Sequence, residues 1–283
     1  MLSSLQQYMV ISPSCPVVLV HGWNSYPGIW SKLAARLEEK SIPYWNFNHS
    51  VIRGASVAEI AYSLQAYIGE MRKKTGWDEN LDLVCHSMGT CAARYLVEVI
   101  DGETQNEKVR QLIGIGPPNN GSALAELFNS PMYGSEILHN LAGQFVPRSY
   151  NPSDDTIVQE FRPGSKTLRR IRKAGVRTDI QYRIIIATNK KENPALFPPL
   201  QGKTWELTPQ GTWRTTWDGD GIITRDEAYL TGAGIDIVPV YADSLDRTPY
   251  DYCHIRLPRN GEVIGRIIEY LLDPDTQPQG FCE

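Results

Sequence analysis

Cys85-His86-Ser87-Met88-Gly89 constrains this chain more than any other segment. An apolar run, Leu81-Asp82-Leu83-Val84, leads into it, and Thr90-Cys91-Ala92-Ala93-Arg94-Tyr95-Leu96-Val97 follows. The pattern is a short strand, a sharp turn with serine at its tip, then a helix. Such a turn lifts the serine hydroxyl clear of its own backbone, toward solvent or a ligand, above a helix N-terminus. It also crowds the backbone two residues to either side of the serine. Gly89 answers that demand fully. Cys85 answers it partly, being small but carrying a Cβ.

The 283 residues, 41% of them hydrophobic, suffice for one sizeable core. The net charge of -4 and the lack of long like-charged blocks give no nucleic-acid footprint. The one basic run, Lys166 to Lys173 (KTLRRIRK), reads as the solvated face of a short helix. No stretch approaches the length of a membrane span. Met1 to Gln7 lacks the basic start and apolar run of a signal peptide. Five cysteines without paired metal spacing suggest mostly reduced thiols and a cytoplasmic location, with Cys253 and Cys282 the one pair placed to clamp the tail. Neither His-x-x-x-His nor Cys-x-x-Cys occurs, nor a glycine-rich phosphate cradle, so no cofactor and no metal is expected, a calcium site of loop carboxylates remaining open.

Strand and helix alternate along most of the chain. Strands are expected at Cys15 to Val20, Tyr44 to Phe47, Leu81 to Val84, Val109 to Ile115, Tyr182 to Ala187 and Asp236 to Tyr241. Helices are expected over Trp30 to Lys40, Ser56 to Lys74, after Ser87, and over Glu262 to Leu272. The alternation implies an α/β protein with a mostly parallel sheet and helices on both faces. Residues 120–180 read as helical pieces broken by Pro131, Pro147, Pro152 and Pro163. Residues 190–218 hold four prolines and three tryptophans (Trp205, Trp213, Trp217) without periodicity, in a pocket wall or a surface hairpin. The tail from Asp273 is polar and expected to fray.

Four motifs resemble, in order and rough spacing, those of the bacterial and archaeal lipase and esterase branch of the α/β-hydrolases. The Ser87 turn resembles the nucleophile elbow, with Cys85 at the first glycine. Val18-Leu19-Val20-His21-Gly22-Trp23 resembles the apolar-run-His-Gly signature of the oxyanion loop. Ile115-Gly116-Pro117-Pro118-Asn119-Asn120-Gly121-Ser122 is similar to a Thr-Pro-x-x-Gly-Ser/Thr turn lining the site, with Gly-Pro-Pro in place of Thr-Pro. Asp218-Gly219-Asp220-Gly221-Ile222-Ile223 resembles the Asp-Gly-(Val/Ile)-Val turn that carries the catalytic acid.

The resemblance implies one domain of α/β-hydrolase fold over 1–283, with a cap or lid inserted at about 122–180 and a Trp-rich excursion at about 190–217. It covers about 16–125 and 218–272, and 126–217 has no counterpart in it. It implies Ser87 as nucleophile. The family order of serine, acid, histidine then points to His254 as base, since among five histidines only His139 and His254 follow Ser87 and His139 comes too early. The acid is Asp220, with Asp218 second and Asp236 and Asp243 further outsiders. The backbone N–H groups of Met88 and Trp23 would form the oxyanion hole. His21, Gly22, His86 and Gly89 would shape the site. Such machinery serves lipases, esterases, thioesterases, amidases and acyltransferases alike, and the fold also hosts lyases and non-catalytic binding proteins. The substrate expected is a small-molecule or lipid ester, with transient contact at a lipid surface.

Overall fold

The computed structural model describes residues 15–273 and Asp275. The reading of the N-terminus, most of the polar tail and the Cys253–Cys282 clamp therefore fall outside the described residues.

Six parallel strands form the central sheet: β1 (Val17–Val20), β2 (Tyr44–Phe47), β3 (Leu81–His86), β4 (Val109–Ile115), β5 (Gln181–Ala187) and β8 (Gly234–Val238). Their spatial order is β2-β1-β3-β4-β5-β8. β1 and β3 are buried along their whole length, as strands covered on both faces must be. β6 (Thr204–Leu207) and β7 (Trp213–Thr216) form a separate antiparallel hairpin.

The helices are α1 (Ser31–Glu39), α2 (Val57–Thr75), α3 (Met88–Arg94), α4 (Ala123–Leu127), α5 (Gly134–Leu141), α6 (Thr156–Glu160), α7 (Lys166–Ala174), α8 (Arg225–Ala228), α9 (Ser244–Arg247) and α10 (Gly261–Leu272). Strand order reverses at β1, so right-handed crossovers send α1 and α2 to opposite faces. α1 packs with α10, and α2 packs with α3. The start of α2 is legible in sequence: Ser56 and Glu59 form a capping box, and Val57, Ile60, Ala61, Leu64 and Ile68 supply the buried face. α3 runs on into a π-helical turn, Tyr95–Ile100.

Three local outcomes differ from, or resolve, the sequence reading. The last strand lies earlier than Asp236 to Tyr241. It ends at Val238 because Pro239 has no N–H for the ladder, and Tyr241 is 78% exposed. Trp205 and Trp213 belong to the hairpin, where Trp205 packs on Tyr133 and Trp213, and none of the three tryptophans of 190–217 lines the cavity at Ser87. The basic run forms α7, which buries Leu168 and Ile171 and turns its charges outward.

Candidate active site

All strands of a parallel sheet end on one edge, and in open α/β sheets that carboxyl edge collects ligands. Ser87 stands there, at the end of β3, with φ 53° and ψ −130°. A non-glycine residue reaches that region only when its surroundings impose it. Here Ser87 N donates to Ile115 O at 2.9 Å, and Ser87 O accepts from Thr90 N at 3.0 Å. Gly89 shows why the turn needs glycine on its far side. A Cβ there would lie 2.4 Å from His21 O and 2.7 Å from Val20 O. Cys85 is fully buried, and burial pushes its thiol well above the ordinary cysteine value, leaving a small apolar side chain.

His254 comes from the loop between β8 and α10, and Asp220 from the loop after β7. His254 Nε2 lies 2.9 Å from Ser87 Oγ, and its Nδ1 lies 2.7 Å from Asp220 Oδ2. Asp220 Oδ1 accepts from Ile222 N and Ile223 N at 3.0 and 2.8 Å, which fixes the carboxylate's orientation. His254 N donates to Asp220 O at 3.0 Å, so backbone and side chain tie the two loops together. Thr204 Oγ1 accepts from Gly221 N and braces the acid turn from β6. Asp218 is exposed and faces Arg225 instead. Asp236 is buried against the Tyr270 hydroxyl, and Asp243 is an exposed partner of Lys191.

His21, His49 and His86 are lowered by burial and pack around the site. His86 Nε2 donates to His254 O at 3.0 Å, leaving its Nδ1 unprotonated and without a partner among the described residues. Burial, aided by the neighbouring His254, holds the His86 pKa well below the usual value. His21 and His49 stack at 3.7 Å, and His49 Nε2 donates to His21 O at 3.0 Å. Burial lowers both, His49 to about 4. These contacts shape the loop that carries Gly22 and Trp23. A Cβ on Gly22 would sit 3.0 Å from Ser87 Cβ, which measures how closely that loop passes the serine.

Ser87, Met88 and Trp23 border a small cavity of about 60 Å³. Its other walls are almost wholly apolar: Leu124, Ala125 and Phe128 at α4, Ile157, Val158 and Phe161 at α6, Phe145, and Ile222 and Ile223 beside the acid. Among the described residues no group of three or more His, Cys, Asp or Glu could hold a metal ion, and no helix is long and apolar enough to cross a membrane.

Sequence reasoning left four contributors unassigned. His49 carried no motif. Gly116 was read only as part of a wall, yet its φ is +54° and a Cβ there would lie 3.1 Å from Asp220 Oδ2 and 3.2 Å from His254 Nδ1. Asp155 and Tyr150, which reach the Trp23 side chain, lie in the segment without family motifs.

No protein-family model matches this sequence, and no curated protein matches it. Solved structures do. The mature form of lipase BlEst2 from Bacillus licheniformis aligns with a TM-score of 0.60 at 16% identity, over 92% of each chain. Phospholipase PlaB from Legionella pneumophila gives 0.60 at 13% identity, over 94% of this chain and 61% of its own. The metagenomic carboxyl esterase MGS0156 gives 0.53 at 16% identity, over 91% of this chain and 76% of its own. At such identities the likeness is one of fold. The chain has the α/β-hydrolase fold, and these structural neighbours are lipases and esterases.

Proposed function

We propose that this protein is a serine hydrolase that cleaves carboxylic esters through an acyl-enzyme on Ser87. The observation that carries the reading is the hydrogen-bonded chain from Asp220 through His254 to Ser87, at 2.7 and 2.9 Å, at the mouth of an apolar cavity. A serine hydroxyl is a weak nucleophile until a neutral imidazole takes its proton, and the carboxylate holds that imidazole in the right tautomer. In this reading Ser87 Oγ attacks the acyl carbon and its proton passes to His254 Nε2. The carbonyl electron pair moves onto oxygen, which the Met88 and Trp23 N–H groups stabilise. Collapse expels the alcohol, which takes the proton from His254. Water, deprotonated by His254, then releases the acid and restores Ser87.

The first of the two N–H groups is free by its place at the start of α3, where helix donors lack partners within the helix. The apolar walls from α4 and α6 suit an acyl chain, and in this reading residues 122–180 act as its cap. The test is hydrolysis of p-nitrophenyl esters by the wild-type protein and by Ser87→Ala. Serine-dependent turnover is expected, with stoichiometric labelling of Ser87 by a fluorophosphonate. Turnover that survives in Ser87→Ala, or none in the wild type, overturns the reading.

A further inference from the structure

The cavity at Ser87 has a larger neighbour of about 720 Å³, a groove with polar residues from 49–53 and 149–156 on its walls. Three residues border both spaces: Trp23, Met88 and Ile157. Ser87 borders only the smaller one. Trp23 is the largest part of this wall, and more than packing holds it. Its indole Nε1 donates to Asp155 Oδ2 at 2.9 Å, and the same oxygen accepts from the Tyr150 hydroxyl at 3.0 Å. Asp155 Oδ1 accepts from Val158 N at 3.1 Å, which anchors the carboxylate to the first turn of α6. Tyr150 and Phe145 flank the indole edge-on at 5.7 and 5.5 Å.

We propose that this Asp155–Trp23–Tyr150 latch sets the acyl-chain specificity of the enzyme, an inference that rests on Ser87 being the nucleophile. The latched indole is a partition. It ends the acyl site at the smaller cavity and confines good substrates to esters of short and medium acyl chains. A longer chain enters the groove only when the indole swings aside. That motion breaks its hydrogen bond to a carboxylate, a bond stronger than one between neutral groups. Asp155 is thus a positioning residue, acting on substrate through Trp23.

The test is kcat/KM over p-nitrophenyl esters from acetyl to palmitoyl for wild type, Asp155→Ser and Tyr150→Phe. Serine still caps α6 but is too short to bridge Val158 N and the indole. In the wild type kcat/KM should peak at or below octanoyl. Asp155→Ser should raise the lauroyl-to-butanoyl ratio at least about tenfold, the scale on which a pocket weighs a methylene or two. Tyr150→Phe, which keeps Asp155 and the indole bond, should raise it less. A parallel series of alkyl acetates, with the chain on the alcohol, should not move. Unchanged ratios in both variants, with melting curves showing them folded, overturn the partition alone. So does a shift confined to the alkyl acetates. Absence of Ser87-dependent turnover on every ester overturns the partition and the hydrolase reading together.

Discussion

At Ser87 the backbone is held at φ 53° by its neighbours, and the strain is stable because β1 and β4 leave the turn no room to relax. Two glycines, Gly89 and Gly116, let backbone and side chains crowd this closely around the site. Replacing Gly89 with alanine drives a Cβ into His21 O and displaces the loop that carries Trp23. A fall in kcat of about 10²–10³, the cost of losing an oxyanion donor, is expected. Gly116 is subtler, because its absent Cβ borders the Asp220–His254 pair. The choice of acid belongs to this scale too. Asp220→Asn should lower kcat about 10³–10⁴-fold, since the amide favours the wrong tautomer of His254. Asp218→Asn, which loosens only an exposed contact 4.0 Å from Arg225, should leave it within about threefold. Steady-state kinetics on one good ester ranks them, and the reverse order would make Asp218 the acid. The motif Asp-Gly-Ile-Ile had favoured Asp220 in sequence. Its physical basis is the pair of N–H groups of Ile222 and Ile223 that the turn aims at the carboxylate.

At the element scale, α3 with its π-helical extension follows directly on Ser87 and opens with Met88. Its far end is pinned by a buried ion pair. Arg94 Nε and Nη2 donate to the Glu98 carboxylate at 2.8 and 3.0 Å, and Arg94 Nη1 donates to Asn119 Oδ1 at 3.1 Å. Asn119 in turn donates to Ala228 O, so the pair joins the elbow helix to the turn after β4 and to α8. Arg94→Met leaves Glu98 buried without its counter-charge and should cost about 3–5 kcal/mol in urea unfolding. Arg94→Met with Glu98→Met should cost less than Arg94→Met alone. A double variant as unstable as the single would show that the pair is not what holds the helix. The i, i+4 spacing of Arg94 and Glu98 was visible in sequence, but the burial that gives it weight was not. The strands and the amphipathic helices were legible because their periodicities are local. The hairpin Thr204–Leu207 with Trp213–Thr216 was legible only as one of two readings, because its short strands carry no clear periodicity and its place is fixed by tertiary packing of Trp205 against Tyr133.

Across the whole molecule, three loops at the sheet's carboxyl edge are joined by neutral histidines, which makes stability sensitive to pH. His49 binds a proton below about 6.5 in the unfolded chain but only below about 4 when folded. Between those values the unfolded state holds more protons, so stability falls as pH drops, by about 3 kcal/mol for this one group. His21 and His86, lowered by burial, add to the slope in the same sense. Unfolding in urea at pH 7 and pH 5 should show about 2 kcal/mol of that loss, and His49→Gln should shrink it. An equal loss in His49→Gln would refute the assignment. The sequence by itself determined the order of strands and helices, the elbow at Ser87, and a short roster of partners, because turn chemistry and hydrophobic period act within a few residues of one another. Only the tertiary structure decided what depends on distance between remote segments. It set Asp220 and His254, 34 residues apart in sequence, at 2.7 Å, and His254 and Ser87, 167 apart, at 2.9 Å. It fastened Trp23 to Asp155 across 132 residues. Such contacts arise from where the sheet edge gathers its loops, and no local pattern in the chain encodes them.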